Sequence, residues 1–266
     1  MPKLVWITDP HLNFVSEAQI RDFMATVRAH QPNAILVGGD IAQAHNLEPI
    51  LRLMAETVDC PIYFVLGNHD YYGSSIAAVR QSIRTLCGDV PSLVWLNEAG
   101  VVRLSDTTAL VGHDGWADGR LGDYAASRIR LNDYRLIADL AGLEKMQRLA
   151  VLHRLGDEAA AHLQTVLPTA LERHRQAIVL THVPPFRQAC WHEGHISGDH
   201  WLPHMTCAAA GDALAPIMQQ RPDRKATVLC GHTHSAGEAP ILQNLHVSTG
   251  GAEYGSPAMA RVWEVE

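Results

Sequence analysis

Short apolar runs recur along this 266-residue chain, and polar residues follow five of them almost at once. Apolar runs of this length are typical of strands buried on both faces of a parallel sheet. Ligands of open α/β sheets bind outside the carboxyl ends of the strands, so we expect the polar loops to converge on one edge. The runs and their polar residues are KLVWIT before Asp9 and His11, AILV before Asp40, IYFVL before Asn68 and His69, AIVL before His182, and ATVLC before His232 and His234.

Helical patterns separate the apolar runs in the first half of the chain. Residues 17–30 carry apolar side chains at i, i+3, i+4 and i+7, behind a possible capping box at Ser16 and Gln19. Residues 47–58 and 75–86 also have helical patterns. Alternation of strands and helices predicts an α/β fold.

The second half of the chain is less regular. Residues 92–112 contain three short strand patterns whose spacing suits hairpins, and 113–124 form a Gly- and Asp-rich loop. Residues 133–174 are predicted to be mainly helical, with breaks at Gly142 and Gly156. A helix is expected near 212–220, and strands at the C-terminus. No linker interrupts the chain, so we predict a single domain over 1–266 with a helical and loop-rich insert around 113–206.

Bulk composition narrows the functional classes. The net charge of −7 argues against non-specific binding to the backbone of a nucleic acid. The five cysteines include no CxxC pair, which is typical of reduced thiols. The N-terminus has no basic-then-apolar leader, and no apolar run reaches the roughly 18 residues of a membrane helix. We therefore expect a cytoplasmic protein with no membrane partner.

The side chains behind the strands are Asp, His and Asn, a donor set that suits Mn, Fe, Zn or similar divalent ions. In an extended segment His232 and His234 point to the same side. The candidates are too many for one ion but fit two ions that share a carboxylate. Two metals about 3.5–4 Å apart are the usual clamp for phosphate-ester hydrolysis, in which metal-bound hydroxide attacks phosphorus in line.

The ordered set Asp-x-His, Gly-Asp, Gly-Asn-His-Asp, His and Gly-His-x-His resembles the calcineurin-like metallophosphoesterase family. The resemblance spans residues 9–234 and implies a two-sheet β-sandwich flanked by helices, with the metals at the strand ends. It also implies a role for each of eight residues: Asp9, His11 and His234 bind one metal, Asn68, His182 and His232 bind the second, Asp40 bridges both, and His69 touches the phosphate and protonates the leaving-group oxygen.

One position departs from the family pattern. Gln43 stands three residues after Asp40, where the family often has Asp or Asn. If that position orients the catalytic histidine, Asp70 or His45 could replace it here. The segment GGDIAQAHN also lacks the arginine found in protein Ser/Thr phosphatases, and LGNHDYY differs from their RGNHE, which disfavours a phosphoprotein substrate.

The sequence thus predicts a metal-dependent phosphoric ester hydrolase that acts on a small phosphate ester. A phosphodiester, nucleotide-like in character, is slightly favoured over a monoester by family analogy. The net negative charge of the chain disfavours a DNA nuclease. The competing class is a non-catalytic metal-binding scaffold. In such a protein we expect some ligand residues to be substituted, whereas none is missing from this sequence.

Other polar residues have weaker signals. His113 and Arg120 are candidate substrate contacts, with turn chemistry and a surface arginine as the alternatives. Arg128 and Arg130 could also grip a phosphate. The loop 183–206 is predicted to cover the substrate; a third metal site is disfavoured there because the histidine spacing fits no standard ligand pattern. The histidines in question are His192, His195, His200 and His204.

Overall fold

The computed structural model describes residues 1–266, and it confirms the predicted alternation of strands and helices. The strands are β1 (Lys3–Ile7), β2 (Ala34–Gly38), β3 (Ile62–Val65), β4 (Leu93–Trp95), β5 (Val102–Arg103), β6 (Thr108–His113), β7 (Gln176–Thr181), β8 (Trp191–His192), β9 (His195–Ile196), β10 (Lys225–Cys230), β11 (Gly237–Leu242), β12 (Leu245–Thr249) and β13 (Arg261–Glu264). The helices are α1 (Glu17–Ala29), α2 (Leu47–Thr57), α3 (Ile76–Asp89), α4 (Leu96–Ala99), α5 (Asp133–Leu136), α6 (Lys145–Arg173), α7 (Leu202–Met205) and α8 (Ala208–Gln219).

Two sheets form the centre of the fold. The first has the strand order β13-β1-β2-β3-β4, and the second has the order β11-β12-β10-β7-β6-β5. Within each sheet the central strands are parallel, and antiparallel strands occur only at the edges: β13 in the first sheet, β11 and β5 in the second. The parallel strands of each sheet therefore end at one common edge.

Alternate side chains of β1 show how the layers pack. Leu4 and Trp6 belong to a cluster between the two sheets, which also contains Leu180 and Leu229 of the second sheet. Val5 and Ile7 belong to a separate cluster with residues of α1, α2 and α3. Because successive side chains of a strand point to opposite faces, one strand serves both layers. A third cluster packs α6 and α8 against the outer face of the second sheet. The predicted two-sheet sandwich flanked by helices is confirmed.

The strands at 92–112 differ in part from the predicted hairpins. Only β5 and β6 pair as an antiparallel hairpin, whereas β4 pairs in parallel with β3 in the other sheet. The short helix α4 lies between β4 and β5 and carries the chain from the first sheet to the second. Strand spacing alone cannot distinguish a hairpin from this change of sheet.

The helical region also differs from the prediction at one glycine. Gly142 has a φ of 71° and lies in the turn before α6, as expected of a break. Gly156 instead lies inside α6 and is buried. A Cβ there would come within 2.6 Å of the Asp118 Cβ, so the glycine allows α6 to pack closely on the loop 113–124. No helix has the length and apolar character required to cross a membrane.

Candidate metal centre

The five polar loops meet where β1, β2, β3, β7 and β10 end. The first three strands belong to one sheet and the last two to the other, so the site lies across the common edge of the sandwich. The structure brings all seven predicted ligand residues together there, as two groups that share Asp40. The first group is Asp9, His11, Asp40 and His234; the second is Asp40, His182 and His232, with Asn68 beside it.

The first group forms from loops that are far apart in the chain. The Nε2 atoms of His11 and His234 lie 3.0 Å apart. Asp40 Oδ2 lies 3.7 Å from His11 Nε2, and Asp9 Oδ1 lies 3.5 Å from His234 Nε2. Two imidazole nitrogens and two carboxylates thus face one small volume.

The second group lies on the other side of Asp40. His182 Nε2 is 3.5 Å from Asp40 Oδ1, 3.1 Å from Asn68 Oδ1 and 3.1 Å from His232 Nδ1. Asp40 therefore directs one oxygen toward each group. This is the position that a bridging carboxylate requires.

Backbone conformation at the site is unusual. Seven non-glycine residues of the chain have positive φ, and five of them are predicted ligands. Such conformations cost about 1–2 kcal/mol each and concentrate at functional sites. Sharp left-handed turns after β1, β2 and β10 aim these side chains back across the sheet edge. The five ligands are Asp9 (48°), His11 (42°), Asp40 (51°), His232 (68°) and His234 (57°).

The remaining ring nitrogens of the second group are held by backbone carbonyls. His182 Nδ1 donates to Gly38 O at 2.8 Å, and His232 Nε2 donates to His204 O at 3.1 Å. These bonds leave His182 Nε2 and His232 Nδ1 unprotonated and directed inward. Carbonyl partners of this kind orient metal-binding histidines in many proteins.

The electrostatics of the site favour cations. Burial, followed by the charge of Asp40, raises the pKa of the Asp9 carboxyl, and burial also raises that of Asp40. Burial lowers the pKa of His11 to about 2 and that of His234 to about 4. No lysine or arginine pairs with either carboxylate, so the protein supplies no compensating charge. Divalent ions would supply it, and the O and N donors present fit such ions.

His69 lies beside the shared carboxylate. Its Nε2 atom is 4.0 Å from Asp40 Oδ2, and its ring stacks on Tyr72 at 4.3 Å. Its Nδ1 atom has no hydrogen-bond partner. The two proposed substitutes for the family's orienting residue are therefore wrong: Asp70 accepts from the backbone N–H groups of Ala42 and Gly67, and His45 is exposed. Stacking on Tyr72 holds the ring instead.

Sequence reasoning missed Asp133, which is buried next to Asn68. Asp133 Oδ1 accepts from Asn68 Nδ2 at 2.8 Å and from the Tyr72 hydroxyl at 2.6 Å. This contact turns the amide so that Asn68 Oδ1 faces the centre. Asp133 follows no strand, and nothing in the LNDY segment distinguishes it from a helix-capping residue.

Tyr254 was also missed. Its ring lies 4.4 Å from the His11 ring and 5.0 Å from the His234 ring, and 51% of its surface is exposed. It lies in a glycine-rich loop after β12, a parallel strand beside β10. The rule that polar loops follow parallel strands could have identified it.

The two weaker candidates do not reach the centre. His113 is buried at the end of β6, where its Nδ1 accepts from the Gly115 N–H at 3.1 Å. Arg120 pairs with Asp118 at 2.9 Å and with Asp157 at 2.6 Å. Both side chains have structural partners and neither lines the cleft above the metal centre, so the structure does not support the predicted substrate contacts.

A cleft of about 500 Å³ opens above the metal centre. The loop between β7 and α8 forms part of its wall, including a small hairpin of β8 and β9. His192 lines the cleft, whereas the His204 side chain bonds to Ser127 and Tyr134. The histidines of this loop therefore form no separate cluster of metal ligands. The loop's contributions to the cleft are His192, Ser197, Trp201 and Met205.

Comparisons with known proteins agree with this geometry. The sequence profile described as calcineurin-like phosphoesterase matches residues 2–236. A probable cyclic nucleotide phosphodiesterase of Pseudoalteromonas sp. (strain SM9913) is 34% identical over 84 residues. The match covers 26% of this chain and spans only 31% of that relative's length.

Solved structures share the fold at low sequence identity. Phosphopantetheinyl hydrolase from Mycobacterium tuberculosis superposes with a TM-score of 0.67 at 15% identity, over 94% of this chain and 89% of its own. A dimetal phosphatase from Danio rerio gives a TM-score of 0.59 at 14% identity, over 97% and 90%. The profile match over nearly the whole chain, with the shared fold, leads to one conclusion. The chain belongs to the calcineurin-like phosphoesterase family.

Proposed function

We propose that the chain hydrolyses a small phosphodiester, nucleotide-like in character, with two divalent ions held by the two ligand groups. The observation that carries this proposal is the placement of Asp40. One of its oxygens lies 3.7 Å from His11 Nε2 and the other lies 3.5 Å from His182 Nε2. A single carboxylate between two sets of nitrogen donors suits a pair of ions better than one ion.

The assignment follows the two groups. Asp9, His11 and His234 would hold the first ion, and Asn68, His182 and His232 would hold the second. Asp40 would contribute one oxygen to each. When bound, such an ion pair lowers the pKa of water and neutralises charge on the phosphoryl oxygens. Asp40 remains ionised between the cations, since adjacent positive charge favours the carboxylate.

His69 is positioned to move a proton at the leaving group. Its ring borders the cleft, and its Nε2 atom faces Asp40 Oδ2. Burial lowers the pKa of His69. An anionic phosphate beside the ring opposes that shift, so substrate binding favours the protonated imidazole. Nε2–H can then donate to the leaving oxygen as a general acid.

A phosphodiester is favoured for two reasons. The Pseudoalteromonas relative is described as a cyclic nucleotide phosphodiesterase, although the match spans a minor part of it. In addition, the cleft is bordered by the exposed aromatic rings of Trp201 and Tyr254, on which a nucleobase can stack. A phosphomonoester is the second candidate, because the structurally similar protein from Danio rerio is described as a dimetal phosphatase.

The test compares two chromogenic esters in the presence of Mn²⁺. Wild-type protein should hydrolyse bis(p-nitrophenyl) phosphate with a higher kcat/KM than p-nitrophenyl phosphate. Asp40→Ala should lose bound metal and activity, and His69→Ala should retain metal while losing activity. Asp212→Ala serves as a matched control, because Asp212 is exposed on α8. A monoester preference would favour the second candidate, and unchanged hydrolysis by Asp40→Ala would contradict the proposed centre.

A further inference from the structure

A second cleft of about 800 Å³ adjoins the metal centre. We call it the basic cleft, because five of its lining residues are cationic and only Glu144 is acidic. This concentration of positive charge is unexpected in a chain with a net charge of −7. The five cationic residues are Arg128, Arg130, Arg135, Lys145 and Arg148.

These side chains lack the carboxylate partners that most arginines have elsewhere in the protein. Nine of the fourteen arginines outside the cleft form ion pairs with carboxylates. None of the five cations of the basic cleft does so. Arg128, Arg130 and Arg135 are exposed, and like charges gathered on one concave surface repel each other. An anion in the cleft would relieve this repulsion.

Two of the cations are fixed in place. The Arg148 guanidinium lies 4.2 Å from the centre of the Tyr134 ring and donates to Leu143 O at 2.7 Å, while its Nε atom is buried without a partner. Lys145 Nζ donates to Ala125 O and to Ser127 O, each at 2.7 Å. An ammonium group has three donors, so one remains for a ligand.

The basic cleft lies directly beside the cleft above the metal centre. Leu131 and Asn132 line both clefts. Next along the chain, Asp133 faces the cleft above the metal centre and Tyr134 faces the basic cleft. His204 also connects the two regions, because its carbonyl accepts from His232 and the residue lines the basic cleft. A small molecule that extends across Leu131 and Asn132 would reach both clefts.

We propose that the basic cleft binds a second anionic group of the substrate, of phosphate type, remote from the ester hydrolysed at the metal centre. This inference rests on the proposed function and narrows its substrate class to esters with an additional phosphate. Arginine is suited to this role, since its guanidinium forms paired hydrogen bonds with phosphate oxygens. A single recessed cleft on an acidic protein fits a small molecule rather than a nucleic acid backbone.

The test uses two chromogenic diesters that differ only in a remote phosphate. These are thymidine 5′-(p-nitrophenyl phosphate) and its 3′-phosphorylated derivative. Wild-type protein loaded with Mn²⁺ should favour the 3′-phosphorylated ester by about tenfold in kcat/KM, as expected for one charge-assisted contact. The preference should shrink when NaCl is raised from about 0.02 M to about 0.5 M, because salt screens exposed charges.

Variants locate the effect. Arg128→Gln/Arg130→Gln removes two exposed cations, and the preference should fall toward equality. Arg154→Gln/Arg261→Gln removes the same charge from exposed positions outside both clefts, and it should keep the preference. Equal kcat/KM for both esters in wild type, or a preference retained by Arg128→Gln/Arg130→Gln, would overturn the inference.

The proposed function and this inference fail in different ways. Hydrolysis of both esters without a preference contradicts the inference and leaves the proposed function standing. Absence of hydrolysis with Mn²⁺, Fe²⁺ and Zn²⁺ contradicts the proposed function. In that case equilibrium dialysis tests the inference, by comparing the affinity of the metal-loaded protein for thymidine 3′,5′-bisphosphate and for thymidine 5′-phosphate. Wild type and Arg154→Gln/Arg261→Gln should bind the bisphosphate more tightly, and Arg128→Gln/Arg130→Gln should not.

Discussion

Asn68 Nδ2 donates a hydrogen bond to Asp133 Oδ1 at 2.8 Å, across 65 residues of sequence. The other end of the amide, Asn68 Oδ1, lies 3.1 Å from His182 Nε2. An amide can be rotated by about 180° with little change in shape, so the acceptor on one side determines which atom faces the ions. Asp133 thereby decides that Asn68 presents an oxygen.

The first prediction concerns this contact. Asp133→Asn removes the charged acceptor and should lower the affinity for one of the two ions by about 10–100-fold, the usual effect of losing an orienting partner. The ion held by Asp9, His11 and His234 should be much less affected. Titration of Mn²⁺ into metal-free protein should therefore become biphasic. Asp212→Asn, on the exposed face of α8, should bind both ions as wild type does. Equal weakening of both ions would contradict the assigned role.

The second prediction separates general-acid catalysis from metal binding. His69→Gln should retain both ions, and its loss of kcat should grow as the leaving group becomes more basic, to about 100-fold for the poorest. Aryl esters of thymidine 5′-phosphate, from p-nitrophenyl to phenyl, provide the series. His45→Gln replaces an exposed histidine in the same part of the chain and should have no effect. A loss that is constant across the series would exclude proton donation by His69.

The third prediction tests the close packing under the centre. A Cβ on Gly231 would overlap Asp9 Oδ2 and Thr8 Oγ1. Gly231→Ala should therefore displace Asp9 and lower the metal content, although it removes no ligand. Gly88→Ala is the matched control: a Cβ there meets no atom within 4 Å, and alanine favours α3 by up to about 1 kcal/mol. Full metal content in Gly231→Ala, measured by elemental analysis, would show that the site has more room than the structure indicates.

The fourth prediction concerns pH and stability. Burial raises the pKa of the Asp9 and Asp40 carboxyls in the metal-free protein, so their contribution to stability is present at low pH and lost as pH rises through the folded-state pKa. Bound cations keep both carboxylates ionised and remove that loss. The increase in Tm produced by Mn²⁺ should therefore grow from about pH 5 to about pH 8.

The histidines do not change the sign of this effect. Burial lowers the pKa of His234 from 6.5 to about 4, so its contribution is present above pH 6.5 and lost as pH falls. Its imidazole is neutral both in the metal-free folded protein and when it binds metal, so this term largely cancels in the difference. In Asp40→Asn, which lacks the bridging carboxylate, the Mn²⁺ effect on Tm should be small at every pH. A Tm increase that shrinks with rising pH would refute the charge argument.

Local sequence determined the elements and the chemistry. Apolar runs and helical periodicity predicted α1 over 17–30, where the structure has Glu17–Ala29, and the strands that precede the polar loops. The order of Asp, Asn and His residues behind those strands gave the candidates, and the family resemblance selected from them the seven residues that meet at the centre. These features depend on neighbours within a few positions, so one sequence is enough to recognise them.

Tertiary structure decided what depends on residues distant in the chain. Four features depend on contacts between segments that are not neighbours in sequence, which a local pattern cannot predict. They are the pairing of β4 with β3, the close packing of α6 at Gly156, the acceptor Asp133 and the basic cleft. His113 and Arg120 illustrate the same limit, because two residues of α6, distant in the chain, contact their side chains: His162 packs against His113, and Asp157 pairs with Arg120. Periodicity reports which face of an element is apolar. Only the packed fold determines what that face meets.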